Sequence, residues 1–289
     1  MASDVTELAR LEAGLDALDS GAAPVRRPWW RTVLAKVLPP VIAILTILLV
    51  WDALVWLDVK PAVVLPGPGD VWNDLRANWG QSRIGAAIWD SVSRAVIGFV
   101  VATAIGTVIG LLLARFRPLR TAVGPILSGM QSLPSVAWVP VGIIWFGISS
   151  STIYMVVLLG AVPSIAIGLL DGLDRVPPLY LRVGHNLGAR GLDSVRFVLL
   201  PAALPGYVSG LKQGWAFAWR SLMAAELIAI SPKLGPGVGQ VLRFAQDNLD
   251  MALAFGTVII ILIIGIGINL LVFAPLERRI LRTRGLSRP

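Results

Sequence analysis

Few residues of this chain stand in patterns that support catalysis. The chain has one histidine, His185, and no cysteine, so its sequence offers no thiol chemistry and no ordinary zinc site. The P-loop pattern G-x-x-x-x-G-K-[ST] does not occur, and neither does the G-x-S-x-G pattern of serine hydrolases. The sequence therefore predicts no metal site, no cofactor and no enzymatic activity of its own.

One short pattern, Gly67-Pro68-Gly69-Asp70, matches the G-x-G-D sequence of intramembrane aspartyl proteases. Such chemistry needs a second aspartate that shares a proton with the first. None of the three tyrosines is followed by aspartate, so the Tyr-Asp partner sequence is missing. A protease is therefore not predicted.

Charged residues inside apolar segments are the stronger signal, because a charge is costly in lipid. Asp90 and Arg94 are four residues apart and can pair on one helix face. Lys212 can extend its side chain to the cytoplasmic boundary. Arg220 lies in the middle of its segment, so it must face a partner, a cavity or a transport path. Glu226, six residues further on, is not an easy partner for Arg220.

Six apolar segments must position these side chains, and each approaches or exceeds the roughly 20 residues that cross a bilayer. They lie near 38–57, within 84–116, and near 119–148, 151–170, 202–230 and 251–276. Only 15% of the residues are charged, and the mean hydropathy is +0.76. These values predict an all-α membrane protein with six transmembrane helices.

The basic residues lie mostly on one side of the predicted spans. Of the 25 Lys and Arg residues, 17 fall on the side of both termini, five on the opposite side and three within spans. The positive-inside rule places both termini and the loop 171–200 in the cytoplasm. The net charge of +8 then reflects membrane topology, and nucleic-acid binding is not predicted.

Two domains are predicted, a cytoplasmic extension over 1–36 and a six-helix transmembrane domain over 37–289. Leucines at 3-4-3 spacing near the N-terminus predict an amphipathic helix in the extension. That helix is either a frayed extension or a docking element for a partner.

Small residues and prolines predict the packing of the spans. Gly106-x-x-x-Gly110 and Gly168-x-x-x-Gly172 favour close approach of neighbouring helices. Pro134 and Pro140 predict either a simple kink in the third span or a break that lines a path. In the first outer loop, Pro and Gly predict an interrupted helix, whereas the last outer loop allows a short one.

The loop 171–200 carries the family resemblance. After Pro177-Pro178 it offers about ten residues of helix-compatible sequence, which Gly188 and Gly191 then break. The stretch resembles the cytoplasmic EAA motif of ABC-importer permeases: Glu-Ala-Ala, three residues, Gly, nine residues, Ile, one residue, Leu-Pro. The matching positions are Gly188, Val198 and Leu200-Pro201, whereas Arg182-Val183-Gly184 replaces Glu-Ala-Ala.

Other segments resemble the nitrate/sulfonate/taurine-type branch of these permeases. The resemblance covers roughly residues 30–285. Its segments are LPGPGDVW, SVSRAVIGFVVATAIGTVIGLLLA, SLPSVAWVPVGIIWFGI and AWRSLMAAELI.

This resemblance implies the type I ABC importer permease fold, in a bacterial inner membrane. It implies two permease copies, two cytoplasmic ATPase subunits that bind ATP and Mg, and an external solute-binding protein. A coupling helix from the region Leu181–Leu192 would seat on each ATPase. The implied coupling residues are Arg182, His185, Asn186, Gly188, Ala189, Arg190, Leu200 and Pro201. The candidates for the translocation path are Arg94, Pro134, Trp138, Trp219, Arg220 and Glu226.

The sequence does not identify the solute. A basic residue in mid-membrane favours an anion such as an aliphatic sulfonate, taurine or nitrate. Bicarbonate and organic ring precursors are alternatives. A channel or secondary transporter would predict inverted repeats, and the sequence shows no convincing one.

Overall fold

A computed structural model describes much of the chain. It covers residues 29–80, 83–231 and 234–283, where the regular secondary structure is helical throughout. The chain divides into two units, one ending at Val59 and one starting at Lys60. The first contains helix α1 (Trp29–Trp56), whose apolar part Val37–Trp56 is long enough to cross a membrane. The amphipathic helix predicted near the N-terminus lies outside the described residues.

The second unit is a series of helices joined by short connections. They are α2 (Pro68–Gly80), α3 (Arg83–Arg115), α4 (Arg117–Ser132), α5 (Trp138–Phe146), α6 (Ser150–Asp174), α7 (Pro178–Asn186), α8 (Leu200–Ile228), α9 (Val238–Asp247), α10 (Met251–Ile268) and α11 (Ala274–Thr283). Two π-helical turns, Val195–Leu199 and Asn269–Phe273, lead into α8 and out of α10.

Helix α6 forms the centre of this unit, because most of its side chains are buried between α3 and α8. Gly106 and Gly110 of α3 lie directly on α6. A Cβ atom built on Gly110 would lie 2.9 Å from the carbonyl oxygen of Ala166. The close approach predicted from Gly106-x-x-x-Gly110 is therefore confirmed.

Helices α6 and α8 cross backbone to backbone. A Cβ atom on Gly168 would lie 2.3 Å from the Cα atom of Gly210, and one on Gly206 would lie 2.5 Å from the Cα atom of Gly172. Only glycine leaves room for this separation, so the predicted role of Gly168-x-x-x-Gly172 in close packing is also confirmed. The crossing needs a second glycine pair, Gly206 and Gly210, on α8.

Four helical segments of the described chain are long and apolar enough to cross a membrane. They are Val37–Trp56, Ile84–Arg115, Ser150–Asp174 and Met251–Arg282. Helices α4 and α5 are long and apolar enough to cross only when taken together, with a bend of 99° between them. Helix α8 has 29 residues, which is long enough to cross a membrane, but its composition is more polar than that of the four segments named above. Six crossing helices and the orientation of the termini stay predictions.

The third apolar segment is broken, not simply kinked. Leu133 and Pro134 have extended backbone angles, and the chain resumes with a 3₁₀ turn over Ser135–Ala137 before α5. Pro140 causes no second break, because it lies in the first turn of α5, where a missing N–H is tolerated.

The outer loops contain more helix than the sequence predicts. Helix α2 spans the segment where Pro and Gly predict an interruption. Pro68 occupies its first position, where proline is favoured, and the backbone N–H of Gly67 donates to Asp70 Oδ2 at 3.0 Å. The short helix expected in the last outer loop corresponds to α9.

Candidate coupling and transport sites

Helix α7 lies in the predicted coupling loop. Pro178 begins it, since proline fits the first turn of a helix. The helix ends at Asn186 because Gly188 adopts φ +92°, a conformation that side chains with a Cβ rarely take. The observed helix thus starts and ends earlier than the predicted region Leu181–Leu192.

One face of α7 packs on the turn that leads into α8. Gly184 is buried, and a Cβ atom there would lie 2.6 Å from Val198 Cγ2. The neighbouring residues of α7 are exposed. Helix α7 therefore packs on the turn before α8 through Gly184 and leaves most of its surface exposed.

Five of the eight predicted coupling residues share one cleft of about 690 Å³. These five are Arg182, His185, Asn186, Ala189 and Arg190. Among the described residues that line the cleft there is no carboxylate. Gly188 is exposed just beyond α7, whereas Leu200 begins α8 and Pro201 lines a separate apolar groove with Gly184.

An exposed ion pair ties the end of α6, just before α7, to α4. Arg120 Nη1 and Nη2 donate to Asp174 Oδ1 at 2.9 Å and Oδ2 at 2.5 Å, so the contact is bidentate. Asp174 is the last residue of α6, and only three residues separate it from Pro178, the first residue of α7. This contact joins the end of α6 to the start of the broken third segment.

Arg94 and Glu226, both predicted to line the path, meet in a buried network. Arg94 Nη1 donates to Glu226 Oε1 at 2.9 Å, and Ser91 Oγ donates to Glu226 Oε2 at 2.6 Å. Glu226 is fully buried, and the side chain of Arg94 is only 11% exposed. Asp90, the predicted partner of Arg94, lies 4.0 Å away at the outer edge of the network.

Described residues of the predicted last outer loop and of the start of α9 contact this network. The backbone N–H of Gly239 donates to Glu226 Oε2 at 3.1 Å, and Arg94 Nη2 donates to the carbonyl oxygen of Leu234. A Cβ atom on Gly237 would lie 2.7 Å from the Glu226 carboxylate. The network therefore fastens the start of α9 to α3 and α8.

Arg220 is placed differently. Its side chain is exposed, its Nε donates to the carbonyl oxygen of Ala216 at 3.1 Å, and its guanidinium lies 4.6 Å from the Phe217 ring centroid. It forms no ion pair with any residue that the structure describes. Lys212, in contrast, lies 3.7 Å from Glu277 of α11.

The remaining path candidates do not converge on one point. Trp219 is buried and stacks on Trp215 with ring centroids 6.5 Å apart. Trp138 packs partly buried against the core, whereas Pro134 is exposed at the break after α4.

Two residues that the sequence analysis did not single out lie beside the predicted ones. Ser91 joins the buried network through its hydroxyl, which also accepts from the backbone N–H of Val238 at 2.9 Å. Gln213 lies exposed on the same side of α8 as Arg220. The signal for Gln213 was available, since residues seven apart share a helix face; nothing in the sequence pointed to Ser91.

Two carboxyl groups lie close together, Asp74 on α2 and Asp250 just before α10. Burial raises the pKa of Asp74 above its ordinary value of 3.8, and the charge of Asp250 raises it further, while the hydrogen bond from Asn78 lowers it. Asp250 also caps α10 by accepting from the backbone N–H of Leu253 at 3.0 Å. In the described part of the chain, no cluster of three His, Asp or Glu residues could hold a metal ion.

Comparison with solved structures shows a protein with the same fold. The chain shares its fold with the inward-facing methionine ABC transporter MetNI, with a TM-score of 0.56 at 19% identity. The match covers 71% of this chain and 96% of that one.

Sequence comparison identifies the family. The taurine transport system permease protein of Escherichia coli is 30% identical over 78% of this chain and 85% of its own length. A putative ABC transporter permease of Methanocaldococcus jannaschii is 29% identical over 61% of this chain, which spans 65% of that protein. Residues 106–281 match the binding-protein-dependent transport system inner membrane component. The chain therefore belongs to the family of inner membrane components of binding-protein-dependent transport systems, the permease subunits of ABC transporters.

Proposed function

We propose that this chain imports a small anionic solute and that two copies enclose the path. A polar stripe on α8 is the observation that carries this proposal. Ser209, Gln213 and Arg220 are exposed on α8, and they fall within about 40° of one another at 100° per residue. The stripe runs along a helix whose other side is packed into the core.

The stripe is incompatible with a lipid environment. An arginine at the centre of a spanning helix costs at least about 2.5–3.5 kcal/mol on insertion scales, and Arg220 has no carboxylate partner among the described residues to offset that cost. Gln213 adds further unpaired polar atoms. The face therefore has to meet water or protein.

A second copy of the chain supplies the facing protein, and the space between the two copies supplies the water. One stripe supplies one wall of a path, and a copy related by a two-fold axis supplies the opposite wall. The path then carries a guanidinium from each copy, which attracts anions and repels cations.

The solute follows from this charge. The relative from Escherichia coli is named for taurine, and taurine carries a sulfonate. An aliphatic sulfonate or nitrate fits the charge of the proposed path, and taurine, a zwitterion, fits it through its sulfonate group. Bicarbonate or an organic ring precursor is the alternative.

The coupling surface is α7. Arg182 and His185 of α7 and Arg190, which follows the helix, are exposed and share one cleft, so we propose that they contact acidic or polar groups of a separate ATPase subunit. ATP and Mg are bound by that subunit, of which there are two in the assembly. The binding protein docks on the outer side, where α2 and α9 lie.

Substitution of Arg220 tests the path. Arg220→Gln should strongly reduce uptake of labelled taurine or nitrate into proteoliposomes that hold the complete transporter, while thermal stability and assembly are kept. Arg243→Gln is the control, because Arg243 pairs with Asp247 on the exposed surface of α9. If Arg220→Gln lowered stability but left uptake per folded complex unchanged, Arg220 would be a structural residue and the path role would be wrong.

A further inference from the structure

A groove between α8 and α10 has the features of a ligand site. Its volume is about 310 Å³, on the order of ten water molecules. Lys212, Trp215, Trp219 and Arg220 line it from α8, while Gly265 and Asn269 line it from the facing segment. It lies at the edge of the polar stripe, since Arg220 belongs to both.

The polar groups of the groove are almost all hydrogen-bond donors. The indole N–H groups of Trp215 and Trp219 are buried, and neither has an acceptor among the described residues. Arg220 adds a guanidinium without a carboxylate partner in the described chain. Lys212 is compensated by Glu277, so the excess charge of the groove comes from Arg220.

Unpaired donors in a buried position require an explanation. A buried N–H that lacks an acceptor costs about 1–3 kcal/mol. Trp219 and Trp215 are only 6% and 5% exposed, so their N–H groups have little contact with bulk water outside the groove. An acceptor that enters the groove would remove this cost, and an acceptor with negative charge would also pair with Arg220.

The rest of the groove is apolar. Its remaining lining residues include Ile261, Leu262, Ile266 and Phe273. Gly265 opens the space, because a Cβ atom there would lie 3.6 Å from Trp219 Nε1 and a longer side chain would occupy the groove. Such walls favour hydrocarbon over the hydration shell of a small inorganic ion.

We propose that this groove binds an organic anion with a short hydrocarbon body, its sulfonate or carboxylate group held by Arg220 and the Trp219 N–H. The proposal rests on the import of an anion argued above and narrows it. Of the solute classes considered, it selects organic anions over nitrate and bicarbonate. The groove lies within one copy, so each copy of the chain holds one such site.

Filling the groove tests the proposal. The permease–ATPase complex in nanodiscs, without a binding protein, is titrated by calorimetry with 1-butanesulfonate and, separately, with nitrate. Gly265→Leu should weaken butanesulfonate binding by about tenfold or more, which corresponds to about 1.4 kcal/mol. Gly265→Ala should weaken it less, because its Cβ makes only an ordinary contact.

Gly267→Leu is the matched control. It adds the same side chain to α10 two residues away, where a Cβ atom would have no neighbour within 4 Å. Binding by this variant should equal that of the wild type. A circular dichroism melt of each complex shows whether the variants are folded.

The outcomes separate this proposal from the proposed function. If folded Gly265→Leu binds butanesulfonate like the wild type while Arg220→Gln still reduces anion uptake, the groove proposal is wrong and anion import stands. Preferential binding of nitrate also refutes the groove proposal alone. If Arg220→Gln changes neither binding nor uptake of any anion, both proposals are wrong.

Discussion

Removal of the Glu226 charge should destabilise the protein more than any change to a surface ion pair. Glu226→Gln keeps the shape of the side chain but leaves Arg94 opposite a neutral amide. The side chain of Arg94 is only 11% exposed, and besides the neutral amide it keeps the carbonyl oxygen of Leu234 and the more distant Asp90. The change therefore leaves a mostly buried guanidinium poorly compensated.

The magnitude follows from this burial. Breaking a buried pair by removing one partner costs about 3–5 kcal/mol. Because Arg94 retains two other contacts, we expect the lower end, about 3 kcal/mol, or about a hundredfold in the unfolding equilibrium. The exposed pair Arg243–Asp247, with side chains 47% and 54% exposed, should contribute at most about 0.5 kcal/mol.

The assay compares Glu226→Gln with Asp247→Asn in the same detergent, by unfolding in sodium dodecyl sulfate followed by circular dichroism. A double variant that also carries Arg94→Gln should lose less stability than the two single losses added together, because the residues interact directly. Uptake per folded complex should stay near the wild-type value in all of them.

A loss of unfolding free energy in Glu226→Gln that is no larger than the loss in Asp247→Asn would contradict the role of the buried charge pair in stability. If in addition uptake per folded complex falls, Glu226 acts on the solute, as its place among the path candidates predicts, and the network is not a clamp for the outer loop.

Three further predictions concern glycines and one carboxyl group. Gly168→Ala should cost about 1–3 kcal/mol, because its Cβ would overlap Gly210, whereas Gly124→Ala, with no neighbour within 4 Å, should not destabilise; equal melting temperatures would contradict the crossing. Replacement of Gly188 by leucine should leave the spans folded but lower the solute imported per ATP hydrolysed, because φ +92° suits glycine; a wild-type ratio would exclude the coupling role. Because the pKa of Asp74 is raised in the folded state, the folded protein binds this proton more tightly than the unfolded chain does. Protonation of Asp74 therefore stabilises the fold as pH falls through the raised pKa towards 3.8, and this stabilisation is lost at higher pH. Asp74→Asn should therefore raise the melting temperature at pH 7 more than at pH 4, and an equal or opposite effect at the two pH values would count against the burial of this carboxyl.

The spans could be predicted closely because lipid dictates their composition. The segment predicted near 151–170 is observed as Ser150–Asp174, and the one near 251–276 starts at Met251 as α10. The outer helix α2 could not, because the same proline that ends a helix also suits its first turn. Only the pairing of Gly67 with Asp70 distinguishes the two cases.

The coupling loop was predictable for a different reason: its turn depends on local residues. Gly188 and the two prolines fix the ends of α7 without help from distant parts of the chain. The buried network depends on residues 132 positions apart, Arg94 and Glu226, and no local pattern joins them. Their burial was predictable from their charge in apolar sequence, but their pairing was not.

The glycine crossing of α6 and α8 has a mechanical consequence. Where side chains separate two helices, rotamer changes let one slide past the other; where the Cα atoms of Gly168 and Gly210 meet, no such adjustment exists. We therefore expect the two helices to move together as one pair. Helix α7 connects them in sequence, so a push on α7 is delivered to both at once. We expect the second unit to bend instead at the break between α4 and α5, where Leu133 and Pro134 interrupt the helical backbone.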